Sequence, residues 1–298
     1  MTPVQLSLGT AQFGLDYGVT NRTGQVSENE VKSILFAADS SDVRFLDTAQ
    51  AYGNSESVLG RCLDSDSSLG LISKLPAQTS DPYTSASVKV WEASFQQTLI
   101  RLGRSTIDSF LLHQASDLLR PDGHVLLDWL TSLRKRFLVL RVGVSIYSSS
   151  ELDQLPLDQI QIVQLPLSLY DQRALIDGTI SRLNRLGISV HARSVFLQGL
   201  LLTPSEKWPA WIDRDFRLHH SSLEAFAVEH NLSLLKLSLG FVQSCFQLEA
   251  AVVGVTTYNE LLSLLAVWMS KSTVFSFGDP HGWAWPKGHS LDPRLWPS

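Results

Sequence analysis

Four residues that can exchange protons stand at or just beyond the ends of short apolar segments. Asp47 and Tyr52 lie in one such region, while Lys74 and His113 each close an apolar run further along the chain. A tyrosine phenol has an ordinary pKa of about 10, and a neighbouring lysine ammonium, held by a carboxylate, would lower it. With a histidine to orient the same oxygen, the set predicts proton exchange with a carbonyl or alcohol oxygen.

Short apolar segments alternate with longer amphipathic ones, a pattern typical of βα units around a parallel sheet. The predicted strands are Gln5–Leu8, Arg44–Asp47, Leu71–Lys74, Ser109–Leu112, Arg141–Ser145, Gln161–Leu165, Ser189–Ala192 and Ala250–Val253. The predicted helices are Glu28–Ala38, Ser87–Leu102, Leu126–Arg136, Ser150–Leu155, Thr179–Leu186, Leu223–Glu229, Ser233–Phe246 and Asn259–Trp268. Four predicted helix starts carry the capping-box pairs Ser27/Glu30, Ser148/Glu151, Ser221/Glu224 and Thr257/Glu260.

Eight strands with helices between them predict an α/β fold, a single (β/α)8 TIM barrel formed by residues 1–298. Long loops and a C-terminal tail, residues 273–298, are expected at the C-terminal face of the barrel, with the tail over the mouth. An open dinucleotide-binding sheet would usually show G-x-G-x-x-G after its first strand, and the segment Gly9–Gly14 lacks that spacing. The carboxyl ends of barrel strands meet at one face, where the four residues are expected to converge.

Composition argues against several classes of protein. The net charge of −5 predicts no nucleic-acid binding, and the longest apolar stretch, 261–269, is too short to span a membrane. Two cysteines and no recognisable secretion signal favour a cytoplasmic protein. No metal site is predicted, because His219 and His220 have no third ligand at useful spacing and are interpreted as loop.

The region around Asp47 and Tyr52 resembles the signature of the aldo-keto reductase superfamily. Lys74 and His113 match the other two catalytic positions of that family in order and approximate spacing. The resemblance continues through segments 142–145, 163–168 and 191–199 and ends near 253–256, so that it covers nearly the whole chain.

The resemblance implies a barrel that binds NADPH or NADH and reduces an aldehyde or ketone, or runs the reverse reaction. It makes Tyr52 the general acid, Lys74 and Asp47 the groups that tune it, and His113 the donor that orients the carbonyl. It implies a small-molecule carbonyl or alcohol substrate, and a monomer or weak oligomer. The implied cofactor-binding residues are Gly9, Thr10, Asp47, Ser145, Gln164, Arg193, Ser194, Gly199, Gly254 and Thr256.

Three positions depart from the pattern of the family. Ile146 replaces an asparagine that commonly helps to fix the carboxamide, and Arg193 replaces an aromatic residue that stacks on the nicotinamide. Members that prefer NADP usually have a basic residue just after the last strand, whereas this chain has Thr256 and, slightly later, Glu260. A weaker preference for NADP, with use of NAD, is therefore expected.

Tryptophans near the predicted mouth suggest a sugar-derived aldehyde or lactol as substrate, because indoles stack on the apolar faces of sugars. They are Trp208 and Trp211 after the seventh strand and Trp283, Trp285 and Trp296 in the tail. Two other functions fit the same residues. One is dehydration or isomerisation with transient or no use of a cofactor, and the other is a non-catalytic barrel that senses a cofactor.

Overall fold

Eight parallel strands form a closed barrel in the computed structural model, which describes residues 3–270 and 279–297. The strands are β1 Gln5–Gly9, β2 Val43–Asp47, β3 Gly70–Leu75, β4 Ile107–Leu112, β5 Val139–Ser145, β6 Ile162–Pro166, β7 Ser189–Arg193 and β8 Ala250–Gly254. Each strand pairs with the next along the chain, and β1 pairs with β8 to close the ring. The predicted (β/α)8 barrel is confirmed, with all eight strands near their predicted positions.

Helices follow the strands and cover the outside of the barrel. They are α1 Ala11–Gly14, α2 Glu28–Asp39, α3 Ser55–Cys62, α4 Ser85–Leu102, α5 Gly123–Lys135, α6 Arg173–Ile176, α7 Thr179–Arg185, α8 Arg214–Glu229, α9 Leu234–Ser244 and α10 Tyr258–Met269. In α4 the buried side chains of Trp91, Phe95 and Leu99 recur at four-residue spacing, which places one apolar face against the strands. Gly103 ends α4 in the left-handed region, with a φ of 62°.

Alternation along the strands builds layers inside the barrel, since every second side chain of a strand points inward. Phe45, Ile72, Leu111, Ile162 and Ala250 form a separate apolar cluster there. Residues two positions further along each strand lie one layer higher, towards the carboxyl ends. That higher layer holds Asp47, Lys74 and Gln164, with His113 directly after the end of β4.

Three details of the local prediction were wrong. The segment expected to be helical from Ser150 is a 3-10 turn, Ser149–Leu152. Ser221 does not start a helix, because α8 already begins at Arg214, where the Asp213 carboxylate accepts the backbone N–H groups of the first turn. His219 and His220 consequently lie within α8 rather than in a loop.

The described part of the tail, residues 279–297, packs against α8, whereas residues 273–278 and 298 of the predicted tail lie outside the described residues. Trp285 stacks on Phe216 with ring centroids 4.9 Å apart, and its backbone N–H donates to the carbonyl of Tyr170 at 2.9 Å. Trp283 packs edge-on against Phe226 of the same helix. Among the described helices, none has the length and apolar character needed to cross a membrane.

Candidate active site

The upper inward layer of the barrel gathers polar side chains from strands on all sides. Asp47 ends β2, Lys74 lies at the end of β3, and His113 directly follows β4. Ser145 ends β5 and pairs in register with Gln164 of β6. Because side chains of a strand alternate between its two faces, a carboxylate, an ammonium, an imidazole and an amide all point into one mouth.

Asp47 is the centre of the hydrogen-bonding network in this layer. Its Oδ2 lies 2.7 Å from the Nζ of Lys74, and both side chains are almost fully buried. Lys74 also donates to the carbonyl of Thr48 at 2.9 Å. The other oxygen of Asp47 accepts from Nε2 of Gln164, which comes from the opposite side of the barrel. A charged pair with these additional hydrogen bonds is rigid, and it holds the side chains at the bottom of the mouth in fixed positions.

Tyr52 lies on the loop between β2 and α3, and a close backbone contact holds that loop in place. A Cβ atom on Gly14 would come within 1.9 Å of the Tyr52 carbonyl, so only glycine permits this approach. Buried hydroxyls tie down the end of the loop, where Ser55 Oγ donates to the carbonyl of Thr10 at 2.8 Å and bonds Thr48 Oγ1 at 3.0 Å. Tyr52 is consequently fixed above the Asp47–Lys74 pair, with Lys74 Nζ 5.3 Å from its ring centroid.

The expected lowering of the Tyr52 pKa is not what the structure shows. Burial raises the pKa of Tyr52 well above its usual value, and the nearby Asp47 carboxylate raises it further. The Lys74 ammonium offsets this rise only in part, because it bonds directly to the Asp47 carboxylate, which cancels much of its field at the phenol. The phenol therefore keeps its proton at neutral pH, which is the form that a general acid requires.

His113 faces the same site as a neutral imidazole. Its ring packs edge-on against Tyr52, with centroids 5.8 Å apart. Burial, followed by the Lys74 charge, lowers the pKa of His113 to about 4. A neutral ring can donate one N–H to a substrate oxygen without adding a second positive charge beside Lys74.

The lowered pKa of His113 predicts how stability depends on pH. Its folded-state pKa of about 4 lies below the ordinary pKa of a histidine, about 6.5, so the unfolded chain binds the extra proton more readily. The free energy of unfolding should therefore fall as the pH drops from about 6.5 towards 4, by roughly 1–3 kcal/mol. Burial lowers the pKa of His220 too, and this acts in the same direction.

Urea unfolding at pH 7 and pH 5 measures this effect for the wild type, His113→Asn and the exposed control His124→Asn. The His113 variant should lose part of the pH dependence, and the control should keep all of it. Equal pH dependence in all three proteins would contradict the assignment of a neutral, half-buried His113.

Gln164 has an unsatisfied acceptor that suits an amide ligand. Its Nε2 must face Asp47 to donate, so its Oε1 points elsewhere, and none of the described residues gives this buried oxygen a hydrogen bond. A buried acceptor without a partner is costly unless a ligand supplies a donor. The carboxamide NH2 of a nicotinamide is such a donor, and the neighbouring Ser145 hydroxyl lies in register beside it.

Arg193 ends β7 and is held along its edge. Its Nε donates to Ser145 Oγ at 3.2 Å, its Nη2 donates to the carbonyl of Ile146 at 2.7 Å, and Nη1 donates to Ser194 Oγ at 3.3 Å. One face of the guanidinium lies over the ring of Tyr147, 4.0 Å from its centroid. Among the described residues, the Tyr147 ring is the one aromatic ring over which the Arg193 guanidinium lies, so its opposite face can take the ring of a ligand.

The remaining residues predicted to bind the cofactor lie around the same rim. Gly9 pairs in register with both Asp47 and Gly254. Thr10 is fully buried and its hydroxyl bonds the Asp47 carbonyl at 3.1 Å, which makes its side chain part of the scaffold. Gly199 has a φ of 92°, and a Cβ there would lie 1.9 Å from Thr20 Oγ1. It thus lets the loop after β1 approach the loop after β7.

Two carboxylates occupy the start of α10, just beyond β8. The backbone N–H and the hydroxyl of Thr256 both donate to Glu260, at 2.6 and 2.9 Å. Glu30 of α2 accepts the backbone N–H of Tyr258. Thr257 caps the helix by accepting from the Glu260 N–H at 3.1 Å. The Glu260 side chain thus reaches past the predicted capping-box position to Thr256.

Two aromatic residues at the mouth were not predicted from the sequence, and one tryptophan that was suggested as a substrate contact is not placed to be one. Tyr17 and Tyr147 lie near Tyr52 and Arg193, and burial raises the pKa of Tyr17 to about 12. Tyr147 follows the end of β5 by two residues, which was the available signal. Trp208 is buried, and its indole N–H bonds the carbonyls of Leu200 and Thr203, so it packs the loop instead of facing a substrate.

Across the described residues, no group of three or more His, Cys, Asp or Glu side chains is arranged to hold a metal ion. A buried ion pair, a neutral phenol and a neutral imidazole around one opening suit the reduction of a carbonyl group.

The family model described as the aldo/keto reductase family matches residues 5–274. The chain belongs to this family and is an oxidoreductase. Members of the family use NAD(P)H and act on small carbonyl compounds or alcohols. A comparison with proteins of curated function found no match.

Solved structures share the same barrel. An aldo-keto reductase from Pseudomonas aeruginosa has 19% sequence identity and a TM-score of 0.67, covering 91% of this chain and 92% of that chain. The holo form of aldo-keto reductase AKR11C1 from Bacillus halodurans has 16% identity and a TM-score of 0.70, covering 92% of this chain and 88% of that chain. At these identities the likeness establishes the fold alone.

Proposed function

We propose that this protein is an NADH-preferring reductase that converts an aldehyde or ketone into an alcohol, with Tyr52 as the general acid. One observation carries the proposal. The buried Asp47–Lys74 pair lies directly beneath Tyr52, whose phenol keeps its proton because burial, and then the Asp47 carboxylate, raises its pKa. Dehydration or isomerisation with transient or no use of a cofactor, and a non-catalytic cofactor-sensing role, are the alternatives.

Proton transfer is the part of the reaction that this chain performs. The carbonyl oxygen would accept hydrogen bonds from Tyr52 and from the neutral ring of His113. As negative charge develops on that oxygen, the Tyr52 phenol gives it a proton and becomes a phenolate. The Lys74 ammonium, 5.3 Å from the ring centroid, then stabilises the phenolate. Because the resting phenol is neutral, it can act as an acid at neutral pH, which is the role that carbonyl reduction requires.

A nicotinamide cofactor, when bound, would supply the hydride to the carbonyl carbon. Gln164 Oε1 and the Ser145 hydroxyl would hold its carboxamide, and the free face of Arg193 would support its ring. Asp47 fixes the orientation of Gln164, so the same carboxylate organises both the proton donor and the cofactor end of the site.

The start of α10 supports a preference for NADH. A phosphate on the adenosine ribose needs cationic or backbone donors. In this chain Glu260 and Glu30 already accept the N–H groups of Thr256 and Tyr258, and no basic residue lies between Gly254 and Glu260. A ribose hydroxyl can instead donate to these carboxylates, whereas a phosphate would be repelled by them.

Titration of the protein with NADH and NADPH, followed by tryptophan fluorescence, tests this preference. NADH is expected to bind about tenfold more tightly or better, since each like charge near a partly exposed phosphate is worth about 1 kcal/mol. Glu260→Gln should narrow the difference by improving NADPH binding, and the exposed control Glu229→Gln should not change it. Tighter binding of NADPH by the wild type would contradict the preference.

In this proposal the substrate is a hydroxylated, sugar-derived carbonyl compound. Trp211 is partly exposed and packs against Trp296 of the tail, with centroids 5.6 Å apart. Such a pair offers an indole face to the apolar side of a sugar ring. Comparing aldose and simple aliphatic aldehydes as substrates distinguishes this class from a general preference for small carbonyls.

Net oxidation of NADH by a panel of carbonyl compounds tests the proposed function itself. Loss of cofactor absorbance in step with alcohol formation supports reduction. Product formation with no net change in cofactor would favour dehydration or isomerisation. Tight dinucleotide binding without any turnover across the panel would favour the cofactor-sensing role.

A further inference from the structure

Tyr147 lies between two arginines from distant parts of the chain. The guanidinium carbon of Arg193 is 4.0 Å from the centroid of the Tyr147 ring, and that of Arg294 is 3.5 Å from it. Since carbon atoms in contact are themselves about 3.5–4.0 Å apart, two guanidinium groups this close to one centroid cannot share a face. They lie on opposite faces, and the three side chains form a stack.

Both ends of this stack are anchored. Arg294 makes a two-pronged ion pair with Asp292, with Nε to Oδ1 at 3.0 Å and Nη2 to Oδ2 at 2.7 Å. The Asp292 carboxylate offsets one of the two positive charges that face each other across the ring. Arg193 is held at its edge by Ser145 and by the carbonyl of Ile146. The stack therefore connects the C-terminal segment to the upper layer of the barrel.

We infer that Arg294 is a positioning residue for the cofactor, acting through Tyr147 to fix the plane of Arg193. The inference rests on the proposed function, because only a bound nicotinamide makes use of the free face of Arg193. A guanidinium is planar and stacks on aromatic rings. With Arg294 stacked on its opposite face, the Tyr147 ring cannot turn, and it therefore fixes the orientation of the Arg193 guanidinium. Without Arg294 the ring can turn, and Arg193 loses its support on that side.

Replacement of Arg294 by methionine tests the inference, because it keeps the length of the side chain and removes the planar cation. The NADH dissociation constant of Arg294→Met should rise about three- to tenfold, the scale of one lost cation–π contact. The NADH dissociation constant of Arg294→Lys should rise by a similar factor, since an ammonium keeps the positive charge but has no flat surface to stack on the Tyr147 ring. Rescue by lysine would overturn the inference, because charge alone would then suffice.

A matched control separates the stack from general loosening of the tail. Lys287 also anchors the tail, at 3.2 Å from Asp215, and its ammonium lies over the ring of Trp285, 5.5 Å from the ring centroid. Lys287→Met should leave the NADH dissociation constant within about twofold of the wild type, as expected for an exposed ion pair. An effect as large as that of Arg294→Met would overturn the inference.

A second measurement needs no cofactor. Urea unfolding of Tyr147→Leu, Arg294→Met and the double variant forms a double-mutant cycle, and the two changes should be non-additive. Additive effects would show that no stack exists and would overturn the inference. Failure of the wild type to bind either dinucleotide would instead overturn the proposed function, and the positioning role with it, whatever the cycle gives.

Discussion

Replacing Tyr52 with phenylalanine is expected to lower kcat for carbonyl reduction by about 10²–10⁴-fold, the usual contribution of a positioned general acid. The change removes the proton donor and keeps the ring that packs against His113 and lies above Lys74. The fold and the NADH dissociation constant should therefore stay close to those of the wild type. Steady-state kinetics together with a fluorescence titration of NADH measures both quantities.

Tyr17→Phe is the matched control for this experiment, because Tyr17 is a second phenol at the mouth, and desolvation there raises its pKa too. Its loss should reduce kcat only modestly, since the Asp47–Lys74 pair lies beneath Tyr52. A collapse of kcat in Tyr17→Phe with a nearly normal Tyr52→Phe would move the general acid to the loop after β1. The proton pathway described above would then be wrong.

Lys74→Met is expected to destabilise the protein by about 3 kcal/mol and also to remove activity. Lys74 and Asp47 are both almost fully buried, and removal of one partner leaves an uncompensated charge inside the barrel. The phenolate formed at Tyr52 would lose its stabilising cation in the same variant. Urea unfolding and the rate of NADH oxidation report the two effects separately.

The double variant Asp47→Asn/Lys74→Met distinguishes the two roles of the lysine. With both charges gone, much of the lost stability should return, because a neutral pair of similar size has no buried charge to solvate. Activity should not return, since the phenolate still lacks its cation. Recovery of activity along with stability would mean that Lys74 serves only the fold.

Much of the site could be predicted because barrel geometry turns sequence position into spatial position. Asp47, Lys74 and His113 stand at or just past the ends of apolar segments, and parallel strands bring those ends to one mouth. The same alternation accounts for Gln164, two residues beyond the inward-facing Ile162. The family resemblance then supplied the expected roles of these residues.

Other features depend on contacts that no local pattern encodes. The predicted direction of the shift in the Tyr52 pKa was wrong. Burial raises this pKa, and the positive charge of Lys74 does not outweigh burial because Lys74 is paired with Asp47. The short helix α3 was not predicted, since Ser55–Cys62 is brief and mixes polar with apolar residues. The contact of Arg294 with Tyr147 joins the end of the chain to its middle, and only the folded structure reveals it.

Transfer of a label from cofactor to product tests the central claim most directly. NADH carrying deuterium at the transferred position would be incubated with the wild type and a reactive aldehyde, with Tyr52→Phe in parallel. We expect one deuterium on the carbinol carbon of the alcohol formed by the wild type, and almost no alcohol from the variant. Product without deuterium, or equal product from both proteins, would contradict a reduction in which Tyr52 gives the proton.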